Sequence, residues 1–262
     1  MILLALVLAT LPARAAEKVD LELVIANDAS YSIDEEEARL QREGVAAAFL
    51  AHDVVQAIRS GLRGRIAVAY VDYASTPYNE VVVDWTVIHD QASAAAFARA
   101  ILARPSGTGR HTSISSALEM GARMIAENAF DGIRRTIDIS GDGPNNFERR
   151  VDIVRDEVVA RGITINGLPI MNKRDAGNSR YYLADLNKYF EGCIIGGRGA
   201  FVEVAHDFKD FARAMKKKLV LEIAGLAPPA RLHKAQYSLS GYPGGCDIGE
   251  RMRGLPYSFD DP

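Results

Sequence analysis

Apolar and polar positions follow two periods that take turns along the chain. The stretch VDLELVIA (Val19–Ala26) alternates and then becomes continuously apolar, as a strand covered on both faces should. RIAVAYVDYA (Arg65–Ala74), RRTIDIS (Arg134–Ser140), GITINGLPI (Gly162–Ile170) and GAFVEVA (Gly199–Ala205) read the same way. Between them the period lengthens to that of a helix. Asp34–Arg59 predicts one long helix: its acidic start suits the helix dipole, and Ala47, Leu50, Val54 and Ile58 form a stripe. Further helices are predicted over Ala92–Leu102, Thr112–Asn128, Phe147–Arg161, Tyr181–Phe190 and Asp207–Ile223. On the Thr112 helix, Ile114, Leu118, Gly121 and Ile125 share one face. NEVVVDWTVI (Asn79–Ile88), which follows Pro77, pairs with Arg65–Ala74 as a hairpin or edge strand.

Strands separated by full helices imply an α/β fold: a doubly wound, mainly parallel central sheet with helices on both faces and one antiparallel edge strand. From Gly225 the chain turns to Pro, Gly, Ser and Tyr without periodicity. The expected organisation is a leader over 1–16, a globular domain over 17–224 and a Pro/Gly-rich tail over 225–262, lying on the domain or partly disordered.

Composition narrows the function classes. At 262 residues, 48% hydrophobic and 25% charged, the chain has the balance of a soluble globular protein. A net charge of -3 gives no reason to expect nucleic acid as a partner, since a polyanion binder carries a concentrated basic face. The one basic cluster, Lys216-Lys217-Lys218, reads as a solvated helix face. MILLALVLATLP is apolar but too short to span a bilayer, and Ala13-Arg14-Ala15 offers the small residues of a cleavage site, so it reads as a signal peptide with no membrane span left in the mature chain. It lacks the usual basic residue before its apolar core. Cys193 and Cys246 are the only cysteines; they either pair and fasten the tail, or stay as two buried thiols.

Ligands of a doubly wound sheet gather at the carboxyl ends of its strands. Three polar loops land there: Asp28-Ala29-Ser30-Tyr31-Ser32, the start of HTSISSAL (His111–Leu118), and Gly141-Asp142-Gly143. They offer carboxylates and hydroxyls, all oxygen donors, which suit Mg2+, Mn2+ or Ca2+ rather than zinc or copper. In D-x-S-x-S a turn presenting every second side chain inward aims three groups at one point. Gly143 is expected to let the third loop pass close beneath.

DASYS, TSISSAL and SGDGPNN together resemble the metal-ion-dependent adhesion site (MIDAS) of von Willebrand factor type A (VWA) domains, across about Val19–Ile223. The later glycine- and aromatic-rich stretch resembles a poorly characterised group of bacterial exported proteins with this fold. The resemblance implies Ser30, Ser32 and Thr112 as direct metal ligands, with Asp28 and Asp142 direct or acting through water. So few bound negative charges leave the ion electrophilic, and an Asp or Glu carboxylate of a partner protein completes its shell. Departures from the pattern are Asn27, where an apolar residue is commoner, and GTGRHT before Thr112, which makes Thr108 a minor competitor. Asp138 competes less well with Asp142, because it lies inside an apolar strand. Tyr31 and His111 are the rim residues with a candidate ligand contact.

The resemblance therefore implies a non-enzymatic, divalent-metal-dependent protein-binding domain acting outside the cytoplasm, in the periplasm first and secreted second. A Mg2+-dependent phosphatase or hydrolase with Asp28 as nucleophile is the alternative, weakened because no lysine lies near the three loops. Plain helix capping by these residues, without metal, is the third reading.

Overall fold

The computed structural model describes residues 16–172, 179, 181–226 and 241–254. The leader expected over 1–16 thus lies outside the described residues, Ala16 excepted. The strands are β1 (Glu17–Asp28), β2 (Ile66–Tyr73), β3 (Asn79–Ile88), β4 (Phe130–Gly141) and β5 (Thr164–Pro169). They form one five-stranded sheet in the order β3-β2-β1-β4-β5. β1 pairs in parallel with β2 and β4, β4 with β5 in parallel, and β3 closes one edge antiparallel to β2. The α/β reading with a single antiparallel edge strand holds.

The central β1 is buried from Val19 to its end, which explains its unbroken apolar run. Its pleat sends Leu21, Leu23 and Ile25 toward α1 (Glu35–Leu50), α2 (His52–Arg59), α3 (Gln91–Leu102) and α7 (Phe211–Ile223). Val24 and Ala26 face α4 (Ile114–Glu127) and α5 (Val151–Ala160). Phe49 and Phe97 meet edge to face with centroids 4.9 Å apart where α1 crosses α3. Such a contact contributes roughly 0.5–1.5 kcal/mol beyond its buried area.

The helix predicted over Asp34–Arg59 is two helices. Ala51 sits between them in an extended conformation (φ -67°, ψ 136°), which resets the helical phase. The stripe therefore fails in its first half: Leu50 is 43% exposed, and Val45, Ala48 and Phe49 carry the core contacts of α1. Phe147–Arg161 loses its first turn because Glu148 adopts a positive φ of 64°, so α5 starts at Val151. The short helix of Tyr181–Phe190 is α6 (Leu186–Tyr189), continued by a π-helical turn over Phe190–Ile194. Gly199–Ala205 is not a strand. Val202 and Ala205 bridge singly to Gly167 and Ile170 beside β5, and the Asn166 side chain takes the Phe201 N–H at 3.0 Å in place of a ladder partner.

The lysine cluster also divides. Lys216 and Lys217 reach Asp53 and Glu203, but Lys218 is fully buried against Asp138 of β4, with Glu222 at 3.7 Å. Asp138 is thereby a structural partner of α7, far from a ligand role. The cysteines pair: Cys193 and Cys246 form a disulfide, which fastens the described piece of the tail, ending in α8 (Ile248–Gly254), to the domain.

Candidate metal centre

The β1–β4 register sets Asn27 opposite Ser140, so the two strands end side by side at Asp28 and Gly141. Ser140 Oγ donates to Asn27 Oδ1 at 2.7 Å, which accounts for a polar residue at position 27. After Asp28 the chain folds over its own carboxylate: the Ser30 N–H donates to Asp28 Oδ1 at 2.8 Å, and Ile33 N–H closes the turn on Ser30 O at 2.9 Å. Asp34 then caps α1 in a capping box with Glu37. Gln41 of α1 steadies the turn from behind, donating to Asp28 O at 3.2 Å.

The second loop is drawn alongside by Gly109, whose N–H donates to Ala29 O at 2.8 Å. A Cβ on Gly109 would lie 2.2 Å from the Ala74 methyl, so only glycine permits this approach. Thr112 precedes α4, which is capped by Ser113. It is clamped to the third loop: Thr112 N–H donates to Asn146 Oδ1 at 3.1 Å, and Asn146 N–H returns to Thr112 O at 2.9 Å.

All five predicted residues meet. Thr112 Oγ1 donates to Ser30 Oγ at 3.0 Å, Ser30 Oγ and Ser32 Oγ are 3.1 Å apart, and Ser32 Oγ donates to Asp142 Oδ1 at 3.1 Å. Asp28, Ser30 and Thr112 are buried, Ser32 is exposed and Asp142 half-buried, so the cluster has a dry floor and a wet rim. Burial pushes the Asp28 carboxyl up to about 7, against the opposing Ser30 hydrogen bonds and with a lesser push from Asp72. Asp28 Oδ2 is buried with no hydrogen-bond partner.

A cation would supply what that oxygen lacks, and the donor set is oxygen throughout, so the residues fit a hard divalent ion. The glycine that matters for the approach is Gly141. A Cβ there would meet Tyr73 Oη at 2.8 Å and Asp28 Oδ2 at 3.0 Å, whereas one on Gly143 would meet nothing within 4 Å. Gly141→Ala is expected to push Asp28 out of line. Overpacking of this kind costs about 1–3 kcal/mol, and a titration of Mn2+ affinity that leaves the variant equal to wild type counts against this role.

Thr108 is exposed and outside the cluster. His111 stacks on Phe147, centroids 4.7 Å apart, rather than turning toward the hydroxyls. Its imidazole is held below its usual value by burial and by Arg253 and Arg110. Tyr31 is 82% exposed on the rim. Sequence reasoning gave no role to Asn145 and Asn146. Both are buried in the loop after Asp142 and bind the start of α4, Asn145 Oδ1 accepting from Ser115 N–H at 3.0 Å. A polar pair just past Asp142-Gly143-Pro144, where a loop must satisfy its own backbone, was the available signal. Glu148 likewise joins the α4 cap, accepting from Ser113 Oγ at 2.7 Å.

Residues 18–227 match the family described as "Protein of unknown function (DUF1194)". The chain belongs to this DUF1194 family. No curated protein is matched by sequence. Among solved structures, proximal thread matrix protein 1 from the mussel byssus, with a zinc-occupied MIDAS motif, superposes with a TM-score of 0.55 at 16% identity, over 78% of this chain and 46% of that one. The pilus adhesin SpaC from Lactobacillus rhamnosus GG gives 0.56 at 12%, over 80% and 32%. A von Willebrand factor type A protein from Catenulispora acidiphila gives 0.53 at 15%, over 79% and 43%. The DUF1194 chain spans less than half the length of each, and the likeness is one of fold: it has the VWA-type architecture. Among the described residues no helix is long and apolar enough to cross a membrane.

Proposed function

We propose that this protein is a non-enzymatic binding domain with a MIDAS-type site, in which Ser30, Ser32 and Thr112 ligate Mg2+ and Asp28 and Asp142 act directly or through water. A carboxylate of a partner protein completes the shell. The observation that carries this is one continuous chain of oxygens from three distant loops, spaced 3.0–3.1 Å, above a buried Asp28 oxygen without a partner. Octahedral Mg2+ at about 2.1 Å would set neighbouring ligand oxygens about 3.0 Å apart. The hydroxyls could therefore exchange hydrogen bonds for contacts to Mg2+ or Mn2+ with little backbone movement, and Ca2+ is the further candidate. When bound, the ion supplies a Lewis-acidic position facing the exposed rim; the chain itself holds that position dry underneath and open above.

Asp28, the nucleophile of the hydrolase alternative, is buried beneath the Ser30 turn, and this favours binding over turnover. Export to the periplasm, or secretion, is supported by the apolar leader sequence and by the Cys193–Cys246 disulfide, since such bonds persist in oxidising compartments. The same reading takes the domain as 17–224, with 1–16 as leader and 225–262 as tail. Capture of an acidic partner from a bacterial envelope extract, with Mg2+ or with EDTA, is the test. Retention that requires Mg2+ and is lost in Ser30→Ala with Ser32→Ala is expected; retention indifferent to chelation rejects the reading.

A further inference from the structure

The third loop of the site is held from behind by a part of the chain remote in sequence. Asn145 is fully buried. Its Nδ2 donates to Phe147 O at 3.2 Å, to Arg149 O at 3.1 Å and to Glu250 Oε1 of α8 at 2.7 Å. Its Oδ1 takes the Ser115 N–H of α4, and its own N–H donates to Tyr189 Oη at 3.2 Å. One side chain thus ties α8, the loop after Asp142 and the helix after Thr112 together. The next residue, Asn146, is the clamp on Thr112 itself.

The α8 helix approaches this loop backbone to backbone. A Cβ on Gly249 would lie 2.1 Å from Asn145 O and 3.1 Å from Pro144 Cγ, so glycine alone lets it seat. Yet α8 is seven residues long and Gly249 is its only buried residue. An isolated helix that short is unstable, and so little burial gives it weak hold on the domain. What keeps it there is chemistry just before it: the Cys193–Cys246 disulfide, Tyr242 Oη donating to Asp185 Oδ1 at 2.6 Å, and Tyr189 Oη donating to Cys246 O at 3.4 Å. A covalent tether converts weak docking into an intramolecular event at high effective concentration.

We propose that segment 241–254 is a disulfide-fastened brace that sets the metal affinity of the site, acting through Asn145 as a positioning residue. Asn145 touches no candidate ligand; it fixes the two loops that carry Thr112 and Asp142. The inference rests on the metal reading above, and its test separates the two. Supporting residues behind metal ligands change affinity by about 10–100-fold when altered. Three variants of the full chain are compared with wild type: Cys193→Ser with Cys246→Ser, which removes the tether; Gly249→Ala, which lifts α8 with the disulfide intact; and Glu250→Ala, which removes one acceptor. Glu250→Gln keeps that acceptor and serves as the rescue.

Mn2+ affinity is expected to fall at least about tenfold in the first two variants, less in Glu250→Ala, and to return in Glu250→Gln. Amide exchange should rise at Ser115, Asn145 and Asn146, while Arg63 and Arg65, whose N–H groups bind Asp20 at the far end of the sheet, keep their protection. Exchange at those three amides unchanged in both the disulfide and the Gly249 variants overturns the brace, as does unchanged affinity. Rising exchange everywhere, Arg63 and Arg65 included, also overturns it, because the segment then supports the fold as a whole. A wild type that binds no Mn2+ refutes the metal reading by itself, and with it the claim that the brace sets affinity.

Discussion

Asp28→Asn is expected to abolish divalent-ion binding and, in the absence of metal, to raise the thermal midpoint. The two effects have one cause. Asp28 is fully buried with Oδ2 unpartnered, and its carboxyl stands near 7 rather than at the ordinary 3.8 because burial disfavours the charge. An acid whose folded pKa is raised contributes stability below its unfolded pKa and loses it as pH rises through the folded value, so near pH 8 the charge works against the metal-free fold. Asparagine keeps an acceptor for the Ser30 N–H and carries no charge to desolvate. A gain of a few kcal/mol, or roughly 5–10 °C for a domain of this size, is the expected scale. Added Mg2+ should then reverse the order: at a hundred times its dissociation constant it stabilises wild type by about 2.7 kcal/mol and leaves the variant unmoved. Melting curves with EDTA and with Mg2+ read both effects; a variant less stable than wild type in EDTA, or equally stabilised by Mg2+, contradicts the account.

Lys218→Met is expected to be the most damaging single change away from the site. Lys218, Asp138 and Glu222 are all buried, with Asn166 Nδ2 donating to Glu222 Oε1 at 2.6 Å and the Phe201 ring 5.4 Å from the ammonium. Burial pulls the ammonium down to about 8, with Glu222 opposing. Methionine fills similar space but leaves the Asp138 carboxylate buried without its cation, and breaking a buried pair from one side costs about 3–5 kcal/mol. Replacing all the charged members, Asp138→Leu and Glu222→Gln with Lys218→Met, should recover most of the loss, because no buried charge is then left without its partner while the amide introduced by Glu222→Gln keeps the Asn166 bond. Denaturant midpoints of the Lys218→Met single and the triple decide this. A Lys218→Met protein within about 1 kcal/mol of wild type shows that the pair does not hold α7 to the sheet.

Where the sequence misled, the reason was local geometry that periodicity averages over. The Ala47–Ile58 stripe ran through an unseen break at Ala51, whose neighbours carry no proline or glycine to announce it. Lys218 sat in a run of three lysines, and nothing in that run says which one points toward β4. Gly143 looked like the glycine of close approach because it follows Asp142; Gly141 is the crowded one, since the sheet register brings it against Asp28 and Tyr73.

By itself the sequence determined the α/β pattern, the antiparallel edge and the three polar loops, through strand and helix periods and the collection of such loops at the carboxyl ends of parallel strands. The five residues within those loops were singled out by the motifs that resemble VWA domains. Tertiary structure alone decided which hydroxyls lie dry and which face water, that Asn145 and Asn146 lock two loops together, and that a tail without periodicity returns through Cys246 to rest on one of them. Contacts between residues a hundred positions apart leave no local period, and only the packed chain reveals them.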